Sequence, residues 1–348
     1  MESKRKSAKD IPKMRPLASE LPASRPSVLG TKDYLVRANA MCGGNVPNTP
    51  ERVLCDGLSV DVEDYFHVEA FADRVSRRSW SDFPSRVGTT TRLVLRIFEE
   101  YGCRATFFVL GWVAEREPAL VREIMEAGHE VACHSYSHRR VSSLTPEDFR
   151  EDLRHARAVI EDAAGVRLLG YRAPTFSIGK QNLWALEILS EEGFLYDSSI
   201  FPIRHDLYGF PGSPRFPYRV QFQSKRTLVE IPMTTVRMGG MTWPACGGGY
   251  LRLLPLSYTQ WAVRQIHEKE RQPVIVYFHP WELDPDQPRI AGRWKSRLRH
   301  YVGLRAMEKR LRALLAPGNF IPLKDLASRL ELSDEMATRN GPVSVLTV

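Results

Sequence analysis

Cysteine is scarce in this sequence of 348 residues, and its five copies are scattered along the chain. Their number is odd and no two are separated by only two residues, so the sequence indicates neither a disulfide framework nor a zinc knuckle. We interpret them as reduced thiols in or near a core, which favours a cytoplasmic protein. The cysteines are Cys42, Cys55, Cys103, Cys133 and Cys246.

Long apolar runs are missing as well. No stretch of about 18 apolar residues occurs, so no transmembrane segment is predicted. Residues 1–27 carry several basic side chains but lack the apolar centre of a secretory signal. We find no motif for binding nucleic acid, although a net charge of +8 would suit an anionic partner. We therefore expect a cytoplasmic protein without a nucleic-acid partner.

Composition divides the chain into three parts. Residues 1–50 are rich in Pro, Ser, Lys and Arg and lack periodicity, so we predict a disordered tail, and we predict a flexible tail for residues 326–348. Residues 51–325 alternate between apolar β-branched runs and amphipathic helical stretches, a pattern typical of parallel strands joined by crossover helices. We predict one barrel-like α/β domain with a C-terminal extension from about residue 205, which comprises a β-rich insertion and a helical cap.

A cluster of acids ends the first predicted strand. In "LSVDVEDYFH", residues 58–67, the carboxylates of Asp61, Glu63 and Asp64 follow an apolar run, and His67 comes close behind. A strand interior does not normally accept such crowding, because buried charges need partners. Either the chain leaves the sheet here and the acids face water, or the acids share a cation or a proton.

Two histidines lie four residues apart at the end of another predicted strand, in "HEVACHSYSHRR". On a helical turn His134 and His138 would project from one face, as a transition metal requires. Alone this spacing is weak evidence for a metal site, because surface histidines also occur four residues apart by chance. Together with the acidic cluster it predicts a site of two histidines and one carboxylate, with a second carboxylate as base toward a metal-activated water.

An arginine and a further histidine also follow apolar strands. Arg172 in "GYRAPTFS" lies where Pro174 holds the chain extended, and it could pair with the surplus acid of the first cluster. His279 in "VIVYFHPWE" would suit a general acid. Taken singly, a surface arginine and a structural histidine are the alternatives.

These pieces, in this order, resemble the NodB-homology polysaccharide deacetylases of carbohydrate esterase family 4. That family carries an acidic motif, H-[S/T]-x-x-H, R-x-P, an Asp-containing motif and a hydrophobic strand ending in His. The segments "VDVEDYFHVEAF" and "FHPWELDPDQPR" are similar to the deacetylases of exopolysaccharide loci associated with exosortases. The likeness covers about residues 53–325, and its matching positions are residues 59–64, 134–138 and 172–174, Asp197 within "YDSS", and residues 277–279.

The resemblance implies a deformed (β/α) barrel of the NodB-homology type and metal-dependent hydrolysis of an N-acetyl group. Carried over residue by residue, Asp61 is the base, Arg172 orients it, and His279 is the acid. The metal ligands implied by the H-[S/T]-x-x-H motif are His134 and His138.

The carboxylate ligand stays open between two residues. The family's first motif usually has two adjacent aspartates, whereas Val62 follows Asp61 here. Strand alternation puts Glu63 on the same face as Asp61, while Asp64 would reach inward if the strand has already ended. The implied cofactor is a divalent metal, with zinc ahead of cobalt, nickel, manganese and iron, all of which such a ligand set admits.

A glycan substrate is implied as well. Thr175, beside Pro174, is expected to offer a backbone N–H to the oxyanion. Aromatic side chains would offer flat faces to sugar rings, and ordinary core packing is the alternative for each of them. The aromatic candidates are Tyr65, Phe66, Tyr136, Trp243 and Trp281.

Much of the excess positive charge lies in the N-terminal tail and between residues 289 and 312, where apolar residues recur at near-helical spacing. A solvated amphipathic helix packed on the barrel is one interpretation, and peripheral docking at anionic lipid or anionic glycan is the other.

The function favoured by the sequence is removal of N-acetyl groups from N-acetylhexosamine units of a polysaccharide or its lipid-linked precursor, during exopolysaccharide assembly at the inner membrane face. One alternative is the same fold hydrolysing a non-sugar C–N bond. The other is a non-catalytic glycan-binding protein with a decayed barrel, against which the presence of both motif histidines speaks.

Overall fold

The computed structural model describes residues 54–336 and 345–347. The tail predicted at residues 1–50 lies outside the described residues. The prediction of a flexible tail from residue 326 is wrong for its first part, because a helix continues to Met336 and buries Leu326 and Ala327. These side chains pack into an apolar cluster, and that burial offsets the conformational entropy lost on ordering the chain.

The strands and helices of the described residues alternate along most of the chain. The strands are β1 (Asp56–Val62), β2 (Thr106–Val109), β3 (Glu130–Cys133), β4 (Gly170–Tyr171), β5 (Tyr196–Asp197), β6 (Tyr218–Gln221), β7 (Thr227–Glu230), β8 (Thr235–Met238), β9 (Met241–Pro244), β10 (Ile275–Phe278), β11 (Phe320–Ile321) and β12 (Val345–Thr347). The helices are α1 (Val87–Glu100), α2 (Gly111–Arg116), α3 (Pro118–Glu126), α4 (Pro146–Ala164), α5 (Trp184–Glu191), α6 (Gly248–Leu253), α7 (Leu256–Gln265), α8 (Trp294–Tyr301), α9 (Leu304–Leu315) and α10 (Leu323–Met336).

One ten-stranded sheet forms the centre, in the order β10-β1-β2-β3-β4-β5-β7-β6-β12, with β11 also paired to β1. Its neighbouring strands are parallel except for β6 and β7, and β8 and β9 form a separate antiparallel hairpin. The sheet curls into a half-barrel, which confirms the predicted mixed α/β fold of the barrel-like type. The carboxyl ends of β1, β2, β3, β4, β5 and β10 therefore meet at one edge of the curl.

Side chains alternate between two apolar layers across the sheet. Leu58 and Val60 of β1 join the larger core cluster, which also contains Val94 and Ile97 of helix α1. Alternate residues of β10, such as Tyr277, belong to a second cluster on the other face. A parallel sheet covered on both faces needs apolar residues on both, and Asp61 departs from that pattern.

Local signals set the helix ends. Thr145 accepts a hydrogen bond from the backbone N–H of Asp148 at the start of α4, and Gly165 ends this helix in a left-handed conformation with φ of 69°. The basic stretch predicted as one helical segment is two helices, α8 and α9, because Gly303 interrupts it with φ of 79°. None of the described helices combines the length and apolar composition that a bilayer span needs.

Candidate active site

Polar side chains from four strand ends surround one cavity of about 200 Å³. They follow β1, β3, β4 and β10, which are separated by long stretches of sequence but end at the same edge of the sheet. The predicted site residues that line the cavity are Asp61, Glu63, His134, His138, Thr175, His279 and Trp281. The structure thus brings together most of the residues singled out by the sequence.

Glu63, His134 and His138 form the group best suited to hold a metal ion. All three are buried, and one candidate ligand atom from each lies within 4.8 Å of the others. Nδ1 of His134 is 2.8 Å from the carbonyl oxygen of Arg172, an arrangement that leaves Nε2 for an ion.

An unpartnered oxygen supports this fit. Oε2 of Glu63 is 3.2 Å from Nε2 of His138, yet this buried oxygen takes part in no hydrogen bond among the described residues. Oε2 of Glu63 and Nε2 of His138 are thus close together without a hydrogen bond between them, and an ion bound by both atoms would account for this. The chemistry of the set, two imidazoles and one carboxylate, is that of a catalytic divalent site with open positions.

Burial also gives the imidazoles the right protonation state. It lowers the pKa of His134 to about 4 and that of His138 to about 4, despite the nearby carboxylates of Asp61 and Glu63. Both rings are therefore neutral at physiological pH and can each offer a lone pair to a metal.

The two histidines lie on a turn that follows β3 and not on a helical turn, and both still line the cavity. Ser135 has φ of 68° and His138 has φ of 52°, values in the left-handed region that interrupt a helix. Asp152 of helix α4 accepts hydrogen bonds from Ser135 Oγ at 2.7 Å and from the Tyr136 N–H at 3.1 Å. Arg77 donates to the carbonyl oxygens of Ser137 at 2.7 Å and His138 at 3.0 Å, so both ends of the loop are fixed.

Asp64 is not grouped with the histidines, so of the two carboxylates that the sequence left open, the structure favours Glu63 as the ligand. The strand ends at Val62, and the Glu63 N–H donates to the Asp61 carbonyl in a tight turn that directs Asp64 away. Oδ2 of Asp64 instead accepts hydrogen bonds from the N–H groups of Arg86 at 2.8 Å and Val87 at 3.1 Å, at the start of α1. The acid therefore caps a helix.

Asp61 is held by Arg172, as the sequence predicted. Arg172 is fully buried, and its Nη1 donates to Oδ1 of Asp61 at 2.7 Å and to Ser59 Oγ at 2.9 Å. Its Nε and Nη2 donate to the carbonyl oxygen and the hydroxyl of Ser198. Burial alone would raise the pKa of Asp61, but the charge of Arg172 is among the causes that lower it, so the carboxylate is ionised at neutral pH.

His279 stands between two carboxylates. Its Nε2 is 2.9 Å from Oε1 of Glu63, and its Nδ1 is 2.6 Å from Oε1 of Glu282. Burial works against its protonation, but these two carboxylates raise the pKa of His279 to about 10. The ring is therefore a cation at neutral pH, with Nε2 also 3.9 Å from Oδ2 of Asp61.

The residues that hold His279 were not predicted from the sequence. Glu282 is fully buried and its Oε2 accepts a hydrogen bond from Nε of Arg252 at 2.6 Å. Arg252 in turn donates to the carbonyl oxygens of His300 and Val302. Glu282 lies three residues after His279, a spacing that signals a capping box at the short helix Pro280–Leu283.

The predicted sugar-contacting residues separate into two groups. Trp281 lines the cavity, stacked on His279 at 5.2 Å between ring centroids, and Thr175 lines it with φ of 58°, a strained conformation for a β-branched residue. Pro174 is buried beside Thr175. Tyr65, by contrast, is fully buried and does not line the cavity, and Tyr136 lies against His155, so the prediction of sugar contact is not supported for these two.

Asp197 also lies outside the cavity. It accepts hydrogen bonds from Ser199 Oγ at 2.6 Å and the Ser199 N–H at 3.2 Å, and Ser199 Oγ accepts from the Ala173 N–H at 2.8 Å. Burial raises the pKa of Asp197 to about 6. Through Ser199, Asp197 thus holds the backbone N–H of Ala173, which lies between Arg172 and Thr175.

Two family models match the chain, one after the other. Residues 79–193 match the model described as polysaccharide deacetylase, and residues 198–328 match the model described as Domain of unknown function (DUF3473). The first range contains both motif histidines and Arg172, and the second contains His279. Asp61 and Glu63 precede both ranges.

Known proteins agree with the first match. The Peptidoglycan deacetylase-like protein FGM2 of Gibberella zeae is 31% identical over 135 residues, which are 37% of this chain and 38% of that protein. A peptidoglycan deacetylase of Helicobacter pylori is 32% identical over 107 residues, 31% of this chain and 36% of that protein. The chain therefore spans well under half the length of these curated relatives.

A solved structure agrees with the fold over nearly the whole described chain. It is that of a Mycobacterium smegmatis protein described as a polysaccharide deacetylase, with a TM-score of 0.55 and 22% identity. The match covers 87% of this chain and 98% of that one. At this identity the likeness concerns the fold.

Proposed function

We propose, since the chain carries a domain of the polysaccharide deacetylase family, that it is a metal-dependent hydrolase acting on N-acetylated glycans. It removes N-acetyl groups from N-acetylhexosamine units of a polysaccharide or its lipid-linked precursor, in exopolysaccharide assembly. The relatives described as peptidoglycan deacetylases support an N-acetylated glycan as substrate. A precursor at the inner face of the membrane would be accessible to a cytoplasmic enzyme.

One observation carries the proposal. The buried group of Glu63, His134 and His138 opens into the same cavity as the ionised Asp61 and the protonated His279. The three residues would hold a divalent ion, zinc before other metals, whose charge polarises an amide carbonyl and lowers the pKa of water. A base and an acid beside such a site are what amide hydrolysis needs.

Asp61 acts as the base. Arg172 occupies Oδ1, so Oδ2 is the oxygen that takes a proton from the attacking water. Because Arg172 is itself held by Ser59 and Ser198, the carboxylate keeps one orientation as the reaction proceeds.

His279 acts as the acid. An amine leaves poorly unless it is protonated, and His279 carries a proton at neutral pH because two carboxylates flank it. The backbone N–H of Thr175 is assigned to the oxyanion of the tetrahedral intermediate, because this residue lines the cavity near both groups. Trp281 is stacked between His279 and His300, so it positions the acid rather than offering a free face to the sugar.

Acetate release tests the proposal. Purified full-length protein should release acetate from chitooligosaccharides, a chelator should abolish the release, and elemental analysis should find about one divalent ion per chain. His134→Ala and His138→Ala should lose metal and activity together, because each removes a ligand. His155→Ala, which changes an exposed histidine outside the group, is the matched control and should retain both.

Two results would contradict the proposal. Full activity in a metal-free preparation would remove the metal from the mechanism. Hydrolysis of a small cyclic amide, with no acetate released from chitooligosaccharides or a lipid-linked N-acetyl sugar, would favour the non-sugar alternative.

A further inference from the structure

Helix α8 exposes its largest apolar side chains to solvent. Trp294 is 70% exposed and Leu298 is 52% exposed. They lie four residues apart and so share one face of the helix, while His300 on the opposite face is buried. Large apolar side chains placed together on a surface usually mark a contact with another apolar phase.

Cations surround this pair. Between Asp286 and Glu308 the sequence contains six Lys or Arg and no acid. At 100° per residue, Arg297 falls on one side of the Trp294–Leu298 pair, and Lys295 falls on the other. A narrow apolar face with flanking cations is typical of helices that lie in the interface of an anionic membrane.

The same helix forms a wall of the candidate active site. Arg299 and His300 line the cavity, and α8 also packs against α6, from which Gly249 and Arg252 line it. Helix α8 therefore contributes both to the lining of the cavity and to the exposed Trp294–Leu298 pair.

We propose that the exposed face of α8, defined by Trp294, Lys295, Arg297 and Leu298, docks on the surface of an anionic lipid bilayer. Its charge complements anionic headgroups, and its Trp and Leu side chains would be buried among them. A soluble anionic glycan would match the charge but would leave the apolar pair in water. This inference deepens the proposed function on which it rests, because it makes a lipid-linked glycan the substrate presented to the cavity.

The β8–β9 hairpin provides a matched control. Trp243 in this hairpin is 40% exposed and Met241 is 59% exposed, so the hairpin also presents a tryptophan and a second large apolar side chain to solvent. The base of the hairpin lies at the other end of β10, where Thr234 Oγ1 accepts a hydrogen bond from the Ile275 N–H at 2.5 Å. None of the hairpin residues Thr235–Pro244 lines the cavity.

Co-sedimentation with vesicles tests docking directly. The full-length protein should bind phosphatidylcholine vesicles that contain phosphatidylglycerol, and binding should weaken as salt rises or when phosphatidylglycerol is omitted. The double variant W294E/L298E should bind at least about tenfold more weakly, and K295Q and R297Q should each lose roughly fivefold. Trp243→Glu should bind as the unchanged protein does.

Several outcomes would overturn docking. These are unchanged binding of W294E/L298E, an equal loss in Trp243→Glu, or full competition by a soluble anionic polysaccharide. Acetate release from soluble chitooligosaccharides separates this inference from the proposed function, because W294E/L298E should retain it. If the unchanged protein releases acetate but does not bind vesicles, only the docking proposal is contradicted.

Discussion

Arg172 and Arg252 are both buried, and each donates one hydrogen bond to a buried carboxylate. Arg172 holds Asp61 and is anchored by serine side chains and a carbonyl oxygen. Arg252 holds Glu282 and is anchored by two carbonyl oxygens near helix α8. The two pairs have similar partners and similar burial.

The two pairs differ in the second carboxylate oxygen, the one that does not accept from the arginine. Oδ2 of Asp61 faces the cavity, 3.9 Å from Nε2 of His279. Glu282 has no such oxygen, because its Oε1 is hydrogen-bonded to Nδ1 of His279 and its Oε2 accepts a hydrogen bond from Nε of Arg252. One carboxylate can therefore accept a proton from water, while the other can only orient a histidine and balance its charge.

Changing Asp61 to Asn should have the largest effect. The amide cannot take a proton, so turnover should fall by about 10³-fold, within the range known for general bases. The metal should remain bound, because the ligand group does not include Asp61. Elemental analysis beside acetate release checks both points, and loss of the metal would show that the assignment of Asp61 as base is wrong.

Changing Glu282 to Gln should have a smaller effect on the same reaction. The amide can no longer balance the charge of His279 or fix its tautomer, so we expect turnover to fall by about 10²-fold with KM nearly unchanged. Asp284→Asn is the matched control, since Asp284 pairs with Arg86 rather than with His279. Equal losses in the two variants would mean that Glu282 has a structural role alone.

Glu130 is a third buried acid, and unlike Asp61 and Glu282 it should affect only the free energy of unfolding. Burial raises the pKa of Glu130 from 4.5 to about 7, against the charge of Lys324. The folded chain therefore binds more protons than the unfolded chain between these pH values, so the free energy of unfolding should fall as pH rises through that window. The full change is about 3 kcal/mol.

Glu130→Gln should flatten this pH dependence and leave acetate release unchanged. Denaturant unfolding at several pH values between 4.5 and 8 measures it, with exposed Glu151→Gln as control. The same slope in Glu130→Gln and the unchanged protein would contradict the assignment.

The fold and the proximity of the site residues could be predicted because these residues directly follow predicted strands. Apolar runs followed by His134, Arg172 or His279 are recognisable in the sequence, and parallel strands bring such positions to one edge. The roles assigned to these residues remain predictions that the experiments above test. The loop geometry could not be foreseen, because the spacing of His134 and His138 fits a helical turn as well as a loop with left-handed residues.

The remaining misses depend on contacts between distant segments. Arg252 is 30 residues from Glu282 and follows a short glycine-rich turn, so no local pattern joins them. For Asp64 a signal did exist. Helix α1 begins after Arg86, which offers no side-chain cap, so its first N–H groups need an acceptor from elsewhere in the chain.

Asp64 also couples the candidate metal site to helix α1. It is joined to Glu63 by one peptide bond, and it accepts hydrogen bonds from the N–H groups of Arg86 and Val87. A metal that restrains Glu63 would restrain this acceptor too, so amide hydrogen exchange at Arg86 and Val87 should slow on metal binding. Two backbone amides that contact no ligand thereby become reporters of metal occupancy.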